Sequence, residues 1–409
     1  MSPERSSARA AQRPRPRGSS QEGLRQYNER VVLQAIRMHG ALPAAEIARL
    51  TTLTAQTVSL IAKRLLDDGL LLKGEPVRGK VGQPSVPLAL HPDGAYAVGV
   101  KVGRRSIDVL LLDFVGAVRR RWKREYRYPE PQALLDFIAE SLAELRRELD
   151  GAQLQRVQGV GIAIPFSLGG WRTLLDMPPE VATAWQSTDL RHEVQRLTDW
   201  PVTLMKDTAA ACVAELVAGQ GRHTGNFLYM FLATFIGGGL VLDSHLRSGL
   251  HGNAGAIGSM PLGLTHGGGA PAQLLSVASL LTLEQGLAAA GLAPEAVSDD
   301  RALQEPWRPH TERWLVQAGA AIALAVNSTA CLLDLEHVVI DGSMHASLRD
   351  ALRAATDRAL DDYDWAGVTR PQLLPGSIGT DARAIGGALL PLHANFAPDR
   401  ALFLKAAEA

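Results

Sequence analysis

A strand–turn–strand pattern occurs twice in this chain and restricts the possible folds more than any other feature. The first copy, "AVGVKVGRRSIDVLLLD", spans 97–113, and the second, "NFLYMFLATFIGGGLVLD", spans 226–243. In each copy two apolar runs of strand length flank a turn that contains glycine, and the second run ends in Asp. Helical and strand-like segments alternate after each copy. The repetition predicts a duplicated α/β body with two lobes and a cleft between them.

Charge is distributed unevenly along the chain. The 409 residues include 42 Lys and Arg and 42 Asp and Glu, so the formal net charge is zero. Residues 1–90 nevertheless hold fourteen Lys or Arg against seven Asp or Glu. Such asymmetry indicates nucleic-acid contact by the basic part. The composition, 46% hydrophobic and 21% charged, is that of a globular protein long enough for two or three domains.

The N-terminal segment, 1–23, is rich in Arg, Ser, Pro and Gln and lacks the apolar core of a signal peptide. We expect a disordered basic tail there, and a cytoplasmic protein that makes no contact with a membrane. The apolar stretch 314–335 is interrupted by polar residues, which favours a buried core helix over a membrane span. Two cysteines, Cys212 and Cys331, are too few for a disulfide framework, and their Ala- and Leu-rich surroundings predict burial.

Residues 24–90 have the pattern of a winged helix-turn-helix. Thr54 is a natural N-cap for a helix that runs to Gly69, and a shorter helix precedes it from Pro43. The strands "LLLK" and "PSVPLAL", joined by a glycine-rich basic turn, form the predicted wing. The positions predicted to face the core, helix by helix, are Tyr27, Val31, Ala35 and Met38; Ile47, Ala48 and Leu50; and Val58, Ile61, Ala62 and Leu65.

The exposed face of the third helix and the turn of the wing carry groups that can bond base edges or phosphates of double-stranded DNA. Gln56 can bond adenine, Thr57 or Ala55 can contact a thymine methyl, and Leu60 either does the same or packs against the wing. A module for contacts between proteins is the alternative, which the basic charge, the capped helix and the wing together oppose. The predicted DNA-binding residues are Thr54, Gln56, Thr57, Ser59, Lys63, Arg64, Arg78, Lys80 and Gln83.

Four stretches resemble the ROK family, whose name joins repressor, open reading frame and kinase. They are "LTAQTVSLIAKRLLDDGLL", "GQPSVPLAL", "LVLDSHLRSGLHGNAGAIGSMPLG" and "ARAIGGALLPL". The resemblance covers roughly residues 24–400. It implies that residues 95–400 have the two-lobed, actin-like, ribonuclease-H-like ATPase fold. Members of the family are sugar kinases or sugar-responsive repressors, and the repressors carry an N-terminal DNA-binding domain of this kind.

Three phosphate or nucleotide features of the family's kinases differ in this chain. Lys101 stands where such kinases place an Asp in the first glycine turn. The second phosphate turn reads "ATFIGGG", in which Ala233 and Phe235 replace glycines, and Phe235 would crowd a phosphate that needs close backbone approach. The later nucleotide strand ends at Asp341, whose carboxylate would repel a nucleotide. These differences predict a protein that is not an enzyme and uses no cofactor.

The resemblance assigns the kinases' catalytic base to Asp207, which this chain retains. Lys206 beside it would keep the carboxyl group ionised if the two side chains meet, and both could bond a ligand. A plain N-cap role for Asp207 is the alternative. The family's zinc motif is lost, because Ala256 and Ser259 stand for its Glu and His and His266 alone cannot hold zinc. No metal is therefore predicted.

The predicted ligand-binding residues of the cleft are Lys206, Asp207, Asn253 and Ser259. They could take an acidic or phosphorylated sugar, and a cleft without any ligand is the alternative. The predicted function is that of a sequence-specific transcriptional repressor of carbohydrate-related genes, which binds a pseudo-palindromic operator as a homodimer and responds to a small sugar effector. Assembly to a tetramer is left open. Two other hypotheses are open. One is a sugar kinase that uses ATP and carries a DNA-binding head, and the other is a constitutive DNA-binding scaffold without a ligand.

Overall fold

The computed structural model describes residues 21–76, 85–166, 168, 177–264 and 269–398. The chain divides into two compact units. The first unit, called the head, consists of residues 1–94 and 393–409, and the second, called the body, consists of residues 95–392. Each has buried apolar side chains of its own.

The head contains a helix-turn-helix and a small antiparallel sheet. Its elements are α1 (Gln21–His39), β1 (Leu42–Pro43), α2 (Ala44–Thr51), α3 (Ala55–Asp67), β2 (Leu71–Lys73), β3 (Pro87–Leu90) and a 3-10 turn (Pro92–Gly94). The strands pair in the order β1–β3–β2. Thr52 ends α2 in the left-handed conformation with φ of 57°, and the Thr54 hydroxyl accepts a hydrogen bond from the Thr57 amide at 3.1 Å. The predicted cap on α3 is present.

Helix α3 buries the stripe that the sequence predicts, whereas α1 and α2 do so only in part. The buried residues of α3 are Val58, Ile61, Ala62 and Leu65. Those of α1 are Val32, Leu33, Ala35 and Ile36. Of the four positions predicted for α1 only Ala35 is buried, and on α2 only Ile47. Met38 and Leu50 are exposed, so these predictions were wrong. On α1, apolar residues lie on both sides of the predicted stripe. Which of them are buried depends on the elements that pack against the helix.

The body is built around two five-stranded sheets. Its strands are β4 (Tyr96–Val102), β5 (Ser106–Asp113), β6 (Val118–Glu125), β7 (Val157–Ile164), β8 (Val202–Lys206), β9 (Phe227–Leu232), β10 (Ile236–Leu242), β11 (His245–Arg247), β12 (His337–Gly342) and β13 (Gln372–Pro375). Its described α-helices are α4 (Pro131–Glu148), α5 (Gly151–Gln155), α6 (Pro179–Ser187), α7 (Leu190–Gln195), α8 (Asp207–Ala218), α9 (Leu275–Ala278), α10 (Leu280–Ala289), α11 (Arg308–Leu333), α12 (Ala346–Leu360) and α13 (Ala382–Phe396), the last of which runs into the head. Short 3-10 helices span Gln220–His223, Ile257–Ser259, Pro294–Ser298, Asp300–Leu303 and Gly379–Asp381.

The two sheets have the same topology, which confirms the predicted duplication and the two-lobed α/β fold. Their strand orders are β6–β5–β4–β7–β8 and β11–β10–β9–β12–β13. In each sheet the first three strands along the chain form an antiparallel meander, and the last two are added in parallel. Helices α8 and α13 follow the last strand of each sheet. The carboxyl ends of parallel strands, with the helices that follow them, are where α/β folds usually bind ligands.

Helices α8 and α13 meet at glycine positions that no larger residue could occupy. A β-carbon on Gly386 of α13 would lie 1.8 Å from the carbonyl oxygen of Ala210 in α8. A β-carbon on Gly161 of β7 would lie 1.9 Å from the carbonyl oxygen of Gly387. These close backbone contacts require glycine. Through these contacts α13, which follows the second sheet, packs against α8 and β7 of the first repeat.

Helix α11 is apolar and long enough to cross a membrane by length and composition, and it is the one such helix among the described residues. Its inner side packs against α12, where a β-carbon on Gly319 would lie 2.9 Å from the Ala355 carbonyl carbon. Trp314 and Ile322 are buried there. It is therefore a core helix of the body, as predicted. Cys212 is buried, but Cys331 lies on the solvent side of the last turn of α11, so the prediction that it is buried was wrong.

Candidate functional site

A cleft of about 200 Å³ lies in the body where α8 and α13 begin. All four residues that the sequence singles out for ligand binding, Lys206, Asp207, Asn253 and Ser259, line it. The structure thus brings together residues from both repeats. The cleft also contains side chains that the sequence did not single out for ligand binding, namely Arg104, Phe166, Thr208, Phe231, Phe235 and Arg383.

Asp207 is the first residue of α8, and its side chain is buried with 7% exposure. One carboxylate oxygen accepts a hydrogen bond from the Thr208 amide at 2.8 Å, and the other lies 3.5 Å from an Arg383 guanidinium nitrogen. The N-cap position belongs to Lys206, whose side chain makes no cap hydrogen bond. By position the N-cap is Lys206 and not Asp207, but the Asp207 side chain does bond a free amide of the first turn, which is the contact that the N-cap alternative predicted. The other carboxylate oxygen faces the cleft cations.

Arg383 takes the place beside Asp207 that the sequence suggested for Lys206. Its guanidinium bonds Ser343 Oγ at 3.2 Å and lies 5.0 Å from the centre of the Phe231 ring. Its side chain is only 11% exposed, and its Nε has no hydrogen-bond partner in the part of the chain that the structure describes. Among the described residues Lys206 forms no ion pair with Asp207, and burial lowers the pKa of Lys206. The cleft therefore holds a buried donor without an acceptor.

Arg104 supplies a second such donor from the turn between β4 and β5. Its guanidinium carbon lies 4.5 Å from the centre of the Phe235 ring, and its buried Nε has no hydrogen-bond partner among the described residues. Burial lowers the pKa of Arg104 to about 10, so the side chain still carries a positive charge at neutral pH. The adjacent Arg105 is different, because it is exposed and pairs with Glu284 at 2.8 Å. Only the first of the two arginines lines the cleft.

Lys101 does not contribute its charge to the cleft. Its ammonium bonds Asp108 Oδ2 at 2.9 Å and Ser106 Oγ at 2.6 Å. The side chain is buried, and burial lowers the pKa of Lys101 to about 8, with Arg383 acting in the same direction and Asp108 against it. The pair with Asp108 neutralises the cation inside the sheet.

The head presents a second candidate surface on α3. Thr54, Gln56, Ser59 and Lys63 are exposed there, and Leu60 among them is 53% exposed. Thr57 and Arg64 are half-buried; the Thr57 hydroxyl bonds that of Thr54, and Arg64 lies 3.6 Å from Glu29. Such a face, with amide, hydroxyl and ammonium groups, suits the grooves of DNA. Arg78, Lys80 and Gln83, predicted for the wing, lie outside the described residues.

Residues 97–394 match the ROK family. The chain belongs to this family. It is 22% identical over 244 residues to the xylose repressor of Bacillus subtilis (strain 168), a match that covers 60% of this chain and 62% of that repressor's length. The crystal structure of a ROK family transcriptional regulator, a homolog of the E. coli MLC protein, superposes with a TM-score of 0.67 at 20% identity and covers 92% of this chain and 98% of that one.

Kinases of the ROK family share the fold of the body. The structure of a ROK family glucokinase from Streptomyces griseus, in complex with glucose and AMPPNP, superposes with a TM-score of 0.57 at 21% identity. It covers 72% of this chain and 99% of that one. The comparison with the regulator extends over the larger share of this chain. At these identities both comparisons establish the fold.

The third of the altered ROK nucleotide positions, Asp341, has a different environment from the one expected. Its carboxylate is fully buried and accepts hydrogen bonds from the Tyr229 hydroxyl at 2.9 Å, the Gly342 amide at 2.8 Å and the Gly379 amide at 3.1 Å. Burial raises its pKa. These donors hold the carboxylate oxygens inside the second repeat, and the effect of this carboxylate on a nucleotide stays a prediction.

The ROK zinc motif has no fitting residues at the described positions. Ala256 and Ser259 line the cleft, and neither carries an imidazole, a thiolate or a carboxylate. No group of three or more His, Cys, Asp or Glu side chains placed to hold a metal ion occurs among the described residues. His266 lies outside them.

The two cleft arginines differ in how far the sequence could have indicated them. Arg104 stands beside a glycine turn that the sequence already marks as unusual. Arg383 lies 176 residues from Asp207 in the chain, and the repeat relates the two, since Asp207 is the first residue and Arg383 the second residue of the helix that follows the last strand of its sheet. Aligning the two repeats strand by strand would have indicated Arg383.

Proposed function

We propose that this protein is a transcriptional repressor of carbohydrate-related genes, in which residues 24–90 bind a pseudo-palindromic operator. The observation that carries the proposal is the capped helix α3, whose exposed face holds Gln56, Ser59 and Lys63. Similarity to a xylose repressor and to a ROK regulator structure that covers 92% of this chain supports it. The regulated genes are those of sugar use, by analogy with the relative's name.

The body supplies dimerisation and a cleft for an effector in this proposal. A dimer presents two copies of α3 to major grooves about one helical turn, or a multiple of it, apart, which requires an inverted repeat in the operator. Arg78, Lys80 and Gln83 of the predicted wing add backbone or base contacts. An effector that binds one arrangement of the lobes more tightly changes the affinity for DNA. The protein acts in the cytoplasm, where its operator is.

We further propose that the protein has no kinase activity. The phosphate turn of the second repeat is filled by Phe235, which packs under Arg104 at 4.5 Å. Asp207, the counterpart of the kinases' base, is bonded to the Thr208 amide and lies beside Arg383. A general base must reach the hydroxyl proton it removes, and the two oxygens of this carboxylate face the Thr208 amide and the Arg383 guanidinium instead. A bifunctional kinase is therefore disfavoured.

Selection of genomic fragments by the full-length protein tests the regulator function. With excess competitor DNA and moderate salt, we expect recovery of a few fragments that share an inverted repeat. Gln56→Ala should abolish this selection while non-specific binding stays near its original level, because an amide contact to a base edge carries sequence information. Gln285→Ala is the matched control, since Gln285 is an exposed glutamine of α10 in the body.

Uniform recovery of fragments, with or without a panel of sugars and sugar phosphates, would contradict the regulator function. Equal loss of specific and non-specific binding in Gln56→Ala would contradict the placement of α3 in the groove. A constitutive scaffold predicts operator binding that no member of the panel changes. An ATP-dependent release of ADP with any sugar would restore the kinase hypothesis.

A further inference from the structure

We propose that the cleft of the body binds a phosphorylated sugar, whose phosphate is held by Arg104 and Arg383. The inference rests on the proposed function, because it names the chemical class of the effector. It is carried by two arginines that line one cavity, by their enclosed Nε atoms, which have no acceptor among the described residues, and by the positive charge of that lining.

The two unpartnered Nε donors indicate a missing acceptor. A buried N–H group without a hydrogen bond costs free energy, so nearly all such groups in native proteins are paired. Here the donors belong to side chains fixed by other contacts, with Arg104 against the Phe235 ring and Arg383 against Asp207, Ser343 and the Phe231 ring. A phosphate supplies three acceptor oxygens, and guanidinium groups bind it with paired hydrogen bonds.

The charge of the cleft lining favours a dianion. Arg104, Lys206 and Arg383 are cationic, and among the described lining residues Asp207 is the one carboxylate. The lining thus carries two positive charges in excess. A phosphomonoester has a charge of about −1.5 to −2 at pH 7, which balances this excess. A sugar acid with one carboxylate balances half of it, and a neutral sugar balances none.

The remaining lining residues suit the sugar part of such a ligand. Asn253, Ser259 and Asp207 offer amide, hydroxyl and carboxylate groups, which can bond the hydroxyls of a monosaccharide. The cavity of about 200 Å³ lies below the roughly 300–1,000 Å³ of sites for drug-sized ligands. It therefore favours a single sugar phosphate over a nucleoside triphosphate.

Calorimetric titration of the full-length protein tests the inference. The probes are glucose 6-phosphate, fructose 6-phosphate, N-acetylglucosamine 6-phosphate and xylose 5-phosphate, each beside its neutral parent sugar, with gluconate and inorganic phosphate as further arms. We expect at least one sugar phosphate to bind ten times or more tighter than its parent sugar and than inorganic phosphate. Arg104→Gln and Arg383→Gln should each weaken this binding by about 10- to 100-fold, as expected for loss of a charge-assisted hydrogen-bond pair.

Arg105→Gln is the matched control, because this neighbouring arginine is exposed, pairs with Glu284 and does not line the cleft. It should leave the affinity unchanged. Arg383→Gln also removes a partner of Asp207, so the melting temperature of each ligand-free variant is measured alongside. Arg104 has no ion pair among the described residues, and its variant should melt close to the unmodified protein.

Four outcomes would overturn the inference. They are equal binding of a sugar phosphate and its neutral parent, equal binding of inorganic phosphate, preference for gluconate, and no binding by any probe. None of these outcomes contradicts the proposed function if fragment selection still recovers an inverted repeat. Binding of a sugar phosphate by a protein that selects no DNA would, conversely, support the cleft inference and contradict the regulator function.

Discussion

Lys101 and Asp108 face each other across the β4–β5 strand pair, and their side chains form a buried ion pair 2.9 Å long. Ser106 adds a hydrogen bond to the same ammonium. In this way strand β4 carries a lysine next to the first glycine turn without leaving an isolated charge in the interior. The pair has consequences for stability, pH dependence and the restoration of activity.

Removing one partner of this pair should cost far more stability than removing both. Lys101→Met leaves the buried Asp108 carboxylate without its cation, and we expect a loss of about 3–5 kcal/mol in the free energy of unfolding. Lys101→Met combined with Asp108→Leu should recover most of that loss, because apolar replacements of buried ion pairs are often neutral. Urea unfolding measures both variants. Lys123→Met, which removes an exposed pair with Glu125, is the control and should change stability by less than about 1 kcal/mol.

Stability should rise with pH in the window that Lys101 defines. Its pKa in the folded protein is about 8, whereas the unfolded chain has the ordinary lysine value near 10.4. Between these values the unfolded state binds more protons, so the free energy of unfolding increases as the pH rises. We expect a gain on the order of 2 kcal/mol between pH 7.5 and 9.5, measured as the difference from the Lys101→Met, Asp108→Leu variant. A difference that does not change with pH would contradict the lowered pKa.

Restoring an aspartate at position 101 should not create a kinase. Lys101→Asp would place two carboxylates in one buried strand pair, so Asp108→Asn is combined with it to keep a single charge. Phe235 still fills the second phosphate turn, and Arg383 still lies beside Asp207. We therefore expect no ADP release above that of the unmodified protein in a coupled assay with glucose, mannose and N-acetylmannosamine. A clear rise in ADP release would show that the remaining changes are compatible with phosphoryl transfer.

Two glycine substitutions should have opposite effects on stability. Gly161→Ala places a methyl group 1.9 Å from the Gly387 carbonyl oxygen, where backbone must move, and we expect a loss of about 2–4 kcal/mol. Gly286→Ala, within the exposed side of α10, meets no atom within 4 Å. It should stabilise the protein by roughly 0.4–1 kcal/mol, because alanine loses less chain entropy in a helix. Equal effects in thermal unfolding would contradict the close contact between β7 and α13.

The basic residues of the predicted wing should act on all DNA alike. Arg78→Ala or Lys80→Ala should weaken specific and non-specific binding together and reduce the dependence of affinity on salt by about one counterion. Fluorescence anisotropy over a range of salt concentrations measures the slope. Arg147→Ala, an exposed cation of α4 in the body, is the control. A variant that loses binding to the operator only would indicate base contact by the wing.

The sequence was informative wherever a local signal determines structure. The Thr54 cap, the buried stripe of α3 and the doubled strand–turn–strand unit are all short-range patterns, and the structure contains each of them. The stripe of α1 was misplaced because its boundary depends on what packs against it. The hydrogen-bonded environment of Asp341 was not predicted, since Tyr229, its side-chain donor, lies 112 residues away. The pairing of Asp207 with Arg383 likewise arises from the meeting of two helices, which no local pattern encodes.

The head draws its residues from both ends of the chain. The described residues 393–398 belong to it, and the Arg30 guanidinium donates to the Ala397 carbonyl at 3.2 Å. A single genetic crossover near Gly94 would therefore replace the N-terminal part of the head alone. The C-terminal segment of the head would then come from a different parent protein. Exchange of a complete head between relatives needs two crossovers. If α3 reads the operator, as proposed, a new operator preference arises more readily by point substitution on its exposed face than by recombination.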